Sequence, residues 1–205
     1  MAKIGLKKIY FGVLVSDTAD GCTYESMQEM TAPIESKLSL NLVEGKLYAG
    51  DQVQESAEEF SSGTLTLGVA DDDDEVCAKL LGTTVNNLTI GEKQVKDYVQ
   101  KSADNSPFLG FGQIVPKSVN NKRRYRAEFL SKIKFKPFNK EAKTKGSSLE
   151  YTTPSLEATV YETVNNEYEH HSTFDTEAEA KAYLTALFKL AKKDASNQDT
   201  SNQGT

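Results

Sequence analysis

Apolar and polar residues alternate with a period of two along the stretch that begins at Asn121. Tyr125, Ala127, Phe129, Ser131, Ile133 and Phe135 fall on one side, and Arg126, Glu128, Leu130, Lys132, Lys134 and Lys136 on the other. That period belongs to a half-buried strand with one apolar and one charged face. The turn-like run Asn139–Gly146 follows, then a second alternating run that places Leu156, Ala158, Val160 and Val164 on one side. Two long strands joined in this way predict a hairpin.

The same reading predicts the other elements. Gly5–Val15 reads as a strand, Asp17–Cys22 as an Asp- and Gly-rich turn, and Ile34–Val43 as a strand with Leu38, Leu40 and Leu42 on one face. Residues 43–60 hold too few apolar groups for a core and predict a protruding loop or hairpin. Ser62–Val69 returns to alternation, with Leu65, Leu67 and Val69 inward. Asp71–Asp74 run straight into Glu75-Val-Cys-Ala-Lys-Leu-Leu-Gly82. Calcium loops alternate their ligands around a glycine, so consecutive acids fit the cap and first turn of a short helix instead. Gly82 stands where helices stop. Residues 83–106 read as polar and irregular, with weak strands around Leu88, Ile90 and Val95. Pro107–Val115 reads as a strand in which Gly110-Phe-Gly112 lacks dinucleotide-motif spacing and implies close strand packing or a bulge. Thr176-Glu-Ala-Glu179 has the form of a capping box and opens a helix to about Lys192, with Ala180, Leu184, Leu187 and Ala191 on one face and Tyr183 and Phe188 beside it. From Asp194 the chain is polar and low in complexity, the composition of a disordered tail.

The expected fold is therefore mainly β, a two-sheet sandwich or partly closed barrel with a short flanking helix and a C-terminal helix. The expected divisions are a β domain over 1–165, a helical extension over 166–193 and the tail over 194–205. A chain of 205 residues buries roughly 70% of its unfolded surface without a metal or disulfide. Cys22 and Cys77, far apart and outside any CxxC pattern, read as free thiols suited to a reducing cytoplasm. The lysines and apolar run at the N-terminus lead to no small-residue cleavage site, so a first strand is expected rather than a signal peptide. No stretch approaches the roughly 20 apolar residues of a membrane span.

The net charge of −6 hides an asymmetry: residues 121–150 carry 10 basic and 3 acidic groups, whereas residues 1–120 carry 10 and 18. A basic hairpin inside an acidic protein suggests a nucleic-acid patch, but Lys132, Lys134 and Lys136 have no aromatic on their own strand face to stack bases. A solvated edge that resists aggregation and a positive surface that meets a neighbour's negative one are the other readings. Enzyme chemistry is not supported, although 30 acidic residues leave chance carboxylate pairs of the glycosidase kind open. The only histidines, His170 and His171, are adjacent, point to opposite faces of any strand and read as exposed loop residues. Neither a Gly-x-Ser-x-Gly elbow, nor a P-loop, nor an HExxH pair occurs. No cofactor or metal is expected.

The KTKG turn at 143–146 with SSLEYTTPSLEATV, the opening GLKKIYFGVL, the central ESKLSLNLVEGKLYAGDQ, DDDDEVCAKLLG and PFLGFGQIV stand in a fixed order. In that order the chain resembles the major tail proteins of long, non-contractile-tailed phages of Gram-positive bacteria, over most of residues 4–165. The resemblance implies a virion structural protein, not an enzyme. Six-membered rings would stack into a tail tube through which viral DNA passes without specific binding, beside tape-measure, distal tail and terminator proteins and without a membrane. It implies an inter-ring contact in the loop at 43–60, carried by Glu44, Lys46, Tyr48, Asp51 and Glu55. With it, the self-complementary reading of the basic face is preferred, so that Arg126, Lys132, Lys134 and Lys136 are expected at a subunit interface. The alternative is a monomeric cell-surface or carbohydrate-binding β-sandwich module.

Overall fold

A computed structural model describes residues 2–30, 33–49, 52–70, 73–138 and 153–189. Its strands are β1 (Ala2–Lys3), β2 (Lys8–Thr18), β3 (Gly21–Tyr24), β4 (Gln28–Met30), β5 (Pro33–Ala49), β6 (Gln52–Val69), β7 (Thr84–Ile90), β8 (Lys93–Val99), β9 (Leu109–Val119), β10 (Lys122–Phe135), β11 (Ser155–Val160) and β12 (Glu169–Phe174). Two helices, α1 (Asp74–Leu81) and α2 (Glu177–Phe188), complete the described elements. The main sheet runs β3-β2-β9-β10-β11-β6-β5 and is antiparallel throughout, with β1 on β9, β4 on β2 and β12 on β10; β7 and β8 form a separate ribbon. The fold is mainly β and sandwich-like. Its sheets do not close into a barrel.

Strands β2 and β9 are apolar on both faces because both faces are covered. Ile9, Phe11, Leu109 and Phe111 join the larger core with Leu65, Leu67, Leu156 and Val160. Tyr10 and Ile114 point the other way, into a second core built by α2. That helix starts at the expected capping box: Thr176 Oγ1 accepts from the Glu179 N–H at 3.2 Å, and Glu179 Oε2 accepts from the Thr176 N–H at 3.0 Å. Ala180, Leu184 and Phe188, four residues apart, are its buried stripe. Phe188 is thus the centre of the face rather than its flank. Its ring meets Tyr24 and Phe129 edge-on, with centroids 5.5 and 4.9 Å apart. The floor beneath is glycine. A Cβ on Gly110 would lie 2.6 Å from the Tyr24 ring and one on Gly112 3.1 Å from Leu184, so close approach of aromatic and helix to the sheet explains the GFG run.

The long alternating strand holds a correction. The β10 register against β9 shifts between Leu130 and Ile133, so a bulge inverts the phase midway. Ala127 and Phe129 face α2, whereas Ile133 and Phe135 face the larger core. The apolar residues that read as one face therefore serve two. The bulge is satisfied locally: the Ser131 N–H donates to the Tyr168 carbonyl at 3.2 Å and the Tyr24 hydroxyl donates to the Ser131 carbonyl at 2.7 Å. Burial pushes the Tyr24 phenol far above its ordinary pKa, so it remains a donor at any working pH.

The acidic helix cap is as expected. Asp73 accepts from the Glu75 and Val76 N–H groups, and Gly82 ends α1 with a left-handed φ of 68°. Other boundaries move. Strand β2 begins at Lys8 and runs through Asp17, leaving only Ala19 and Asp20 as the turn. The weak strands expected around Leu88, Ile90 and Val95 pair as one regular hairpin over 84–99. The partner of β10 spans six residues, and Val164 is 59% exposed instead of continuing its apolar side. The segment after 165 does not stand apart, because β12 pairs with β10 from Tyr125 to Leu130 and α2 closes the second core. The predicted turn at 139–146, Asp71 and Asp72, Ala191 and the tail over 194–205 lie outside the described residues.

Candidate functional site

The β5–β6 hairpin leaves the body at one point. Up to Gly63, opposite Val160, β6 is flanked by β11. Beyond it, the edge of β10 is taken by β12, and the aromatic pair Phe60–Tyr168, stacked at 4.1 Å, marks the departure. From Ser62 to the tip β6 pairs with β5 alone among the described residues, and the outer edge of β5 has no strand partner along Pro33–Ala49. The ten residues Leu40–Ala49 reach about 33 Å at the usual strand rise. The predicted protrusion at 43–60 is thus a paired hairpin. Leu40, Leu42 and Val43 stand exposed on it, Leu42 opposite Phe60 and Val43 opposite Glu59.

Of the residues expected at an inter-ring contact, Glu44 and Lys46 are exposed and ion-paired at 2.8 Å, and Glu44 lies directly opposite Glu58. Tyr48 and Glu55 occupy the distal strands, opposite Val53 and Leu47. Asp51 lies outside the described residues.

A second projection, the β7–β8 ribbon, turns at Gly91-Glu92 with Gly91 left-handed at φ 63°. Leu88, Ile90 and Val95 share one of its faces and are all exposed; Val85, also exposed, lies on the other. The Lys96 ammonium reaches Glu75 of α1 at 3.1 Å and, with Lys79, holds that carboxyl below its ordinary pKa.

The basic residues do not form one face. Because of the bulge, Arg126 lies on the larger-core side, 2.8 Å from Glu128, whereas Lys132 and Lys134 emerge on the opposite side. Each lysine already has a partner in the same chain. Lys132 Nζ donates to Asp17 Oδ2 at 2.8 Å, Lys134 Nζ to Asn105 Oδ1 at 2.5 Å, and Lys136 to Glu157. Nor are they without an aromatic: Phe108, arriving from the segment before β9, lies 5.1 Å from Lys132 Nζ and 5.3 Å from Lys134 Nζ, and meets Tyr161 edge-on. Asp17 also accepts from the Val164 N–H at 3.0 Å, tying the β2–β3 turn to the 163–167 turn. Burial pushes this carboxyl up, but the Lys132 ammonium and the Val164 N–H outweigh it and leave its pKa below the ordinary value.

A polar cavity of about 240 Å³ lies between β5–β6 and the β9–β10–β12 layer. Gln113 Nε2 donates to Glu128 Oε2 at 2.6 Å across its floor. Ser36, Gln113, Arg126, Glu128 and Glu169 are among its lining residues, and the Arg126 guanidinium is ion-paired with Glu128 at 2.8 Å. Sequence reading did not single out Ser36 or Gln113. The signal was a glutamine in the inward phase of Leu109, Phe111 and Gln113.

His170 and His171 lie on strand β12, not in a loop, and point to opposite faces: His170 sits near Glu167 and the Phe129 ring, His171 near Glu169. Among the described residues no three His, Cys, Asp or Glu side chains are grouped to hold a metal ion, and no helix is long and apolar enough to cross a membrane. Neither Cys22 nor Cys77 is in a disulfide, and burial pushes the Cys22 pKa up. No family model and no curated protein matches this chain.

Proposed function

We propose that the chain is a structural subunit that assembles with its own copies into stacked six-membered rings, forming a tail tube through which viral DNA leaves a virion. The carrying observation is the β5–β6 hairpin, which combines an outer edge without a strand partner among the described residues with the exposed Leu40, Leu42 and Val43. An open strand edge beside apolar side chains is a template for another chain, and monomeric proteins blunt such edges or cover them. A head-to-tail use of that edge repeats without limit along a tube axis. Residues 43–60 carry five acidic groups and one basic group, which favours a basic or apolar receiving surface and a lumen that does not retain DNA.

The contact is assigned to the two projecting hairpins rather than to Lys132, Lys134 and Lys136, whose ammonium groups already donate to Asp17, Asn105 and Glu157 within the subunit. Contacts with other tail components, including those that set tail length, follow from the same reading. Sedimentation velocity over a range of concentrations tests it. Wild-type protein should shift to larger species as concentration rises, and Leu42→Glu with Val43→Asp should hold it as a folded monomer. A double variant that associates as the wild type does would refute the assignment.

A further inference from the structure

We infer that, between neighbours in one ring, the acidic flank of the β5–β6 hairpin docks on the β9–β10 turn of the next copy, Glu58 and Glu59 meeting Lys122 and Arg123. All four side chains are exposed, and none has a partner of opposite charge among the described residues. The charges beside them are engaged: Glu44 pairs with Lys46 at 2.8 Å and Arg124 with Asp175 at 3.0 Å. Each side is also crowded by its own sign. Glu44 stands directly opposite Glu58, and Arg124 directly opposite Lys117, an arrangement that costs a strand pair free energy and that opposite charge relieves. Apolar groups accompany both surfaces. Val43, 60% exposed, lies opposite Glu59, and Ile4, 54% exposed, donates its N–H to the Pro116 carbonyl beside Lys117.

Complementary surfaces join neighbours only if symmetry brings them together. Gly63 of β6 stands beside Val160, and Val160 beside Ile133 of β10. Both pairings are antiparallel, so from that level β6 back to its tip and β10 back to Lys122 run the same way, and the hairpin and the turn lie at one end of the subunit. Rotation about a ring axis keeps like ends on the same rim, where the hairpin of one copy and the turn of the next both stand. Within a subunit no ion pair joins the two among the described residues. The turn is pre-formed, because Asn120 and Asn121 are left-handed at φ 50° and 60°, the backbone of a tight two-residue hairpin. Nucleic acid is a poorer occupant: the Tyr125 ring beside the turn is half-buried and already carries Lys7 and Arg123 at 5.6 and 5.9 Å from its centroid, which disfavours base stacking. The contact rests on the ring reading above and is separable from the stacking contact.

Sedimentation velocity of the full chain tests it with two variants, Glu58→Lys with Glu59→Lys and Lys122→Glu with Arg123→Glu. Each alone should need about tenfold more protein to associate than the wild type does. Mixed in equal amounts they should associate as the wild type does, because every reversed hairpin then meets a reversed turn and a ring of six accommodates the alternation. A variant that merely lost stability would not be rescued by its counterpart. A mixture as weak as its components, or a Lys122→Glu, Arg123→Glu protein that associates normally while Leu42→Glu with Val43→Asp does not, overturns this contact and leaves the tube reading standing. Wild-type protein that stays monomeric at every concentration overturns both. Duplex DNA held by the wild type at about 0.15 M salt and released by Lys122→Glu with Arg123→Glu also overturns the contact, since the turn is then a nucleic-acid surface.

Discussion

Strands β5 and β9 share an alternating design and meet opposite fates. In β9, Leu109 and Phe111 are sealed beneath the larger core while Gly110 and Gly112 receive Tyr24 and α2 on the reverse. In β5, Leu38 is half-buried, but Leu40 and Leu42 two and four residues later emerge into solvent. The difference is supplied by the neighbours. Strand β12 takes over the edge of β10, so the β5–β6 pair leaves without a covering layer among the described residues. Alternation states which residues share a face; it does not state which chain covers that face. Under the proposed assembly, the apolar surface left uncovered among the described residues is the part that meets another copy.

The contrast can be broken from the sealed side first. Phe188→Ala should remove the centre of the second core and cost about 4 kcal/mol, the range for a buried aromatic, read as a lower midpoint in urea unfolding. Gly110→Ala should cost about 2 kcal/mol by overpacking, because its Cβ would fall 2.6 Å from the Tyr24 ring; an unchanged midpoint would mean that Tyr24 does not press on the sheet.

Asp17→Asn should cost about 2 kcal/mol as a charged hydrogen bond is lost, and it carries a pH signature. The folded pKa of Asp17 is depressed, so its stabilisation is present above the unfolded value of about 3.9 and is lost as pH falls through the lower folded value. Wild type and Asp17→Asn should therefore converge in stability once the pH has fallen below that lower folded value. Smallest in stability, within about 0.5 kcal/mol, are Leu42→Glu and Leu88→Glu on the open side, which should leave unfolding unchanged while suppressing association.

The mainly β fold, the Asp73 cap of α1, the Thr176 capping box and the inward trio Leu65, Leu67 and Val69 were all legible, because each rests on local chemistry or a short period. The bulge at Ser131 was not. Its cause lies in Tyr168 and Tyr24, remote in sequence, which accept and donate at the displaced backbone. For the same reason Arg126 could not be separated from Lys132 and Lys134, nor Phe108 placed among the lysines. In the β7–β8 ribbon the weak strands around Leu88, Ile90 and Val95 are legible, whereas their pairing into one regular hairpin is not, because the surrounding residues are polar. The central place of Phe188 is not legible, since it rests on Tyr24 and Phe129, remote in sequence, and on the glycine floor of Gly12 and Gly112.

Negative-stain microscopy of the concentrated full chain tests the central claim most directly. If the open hairpins exist to engage further copies, fields of rings or hollow tubes should form, and they should vanish with Leu42→Glu. Uniform single particles of monomer size at every concentration would contradict it.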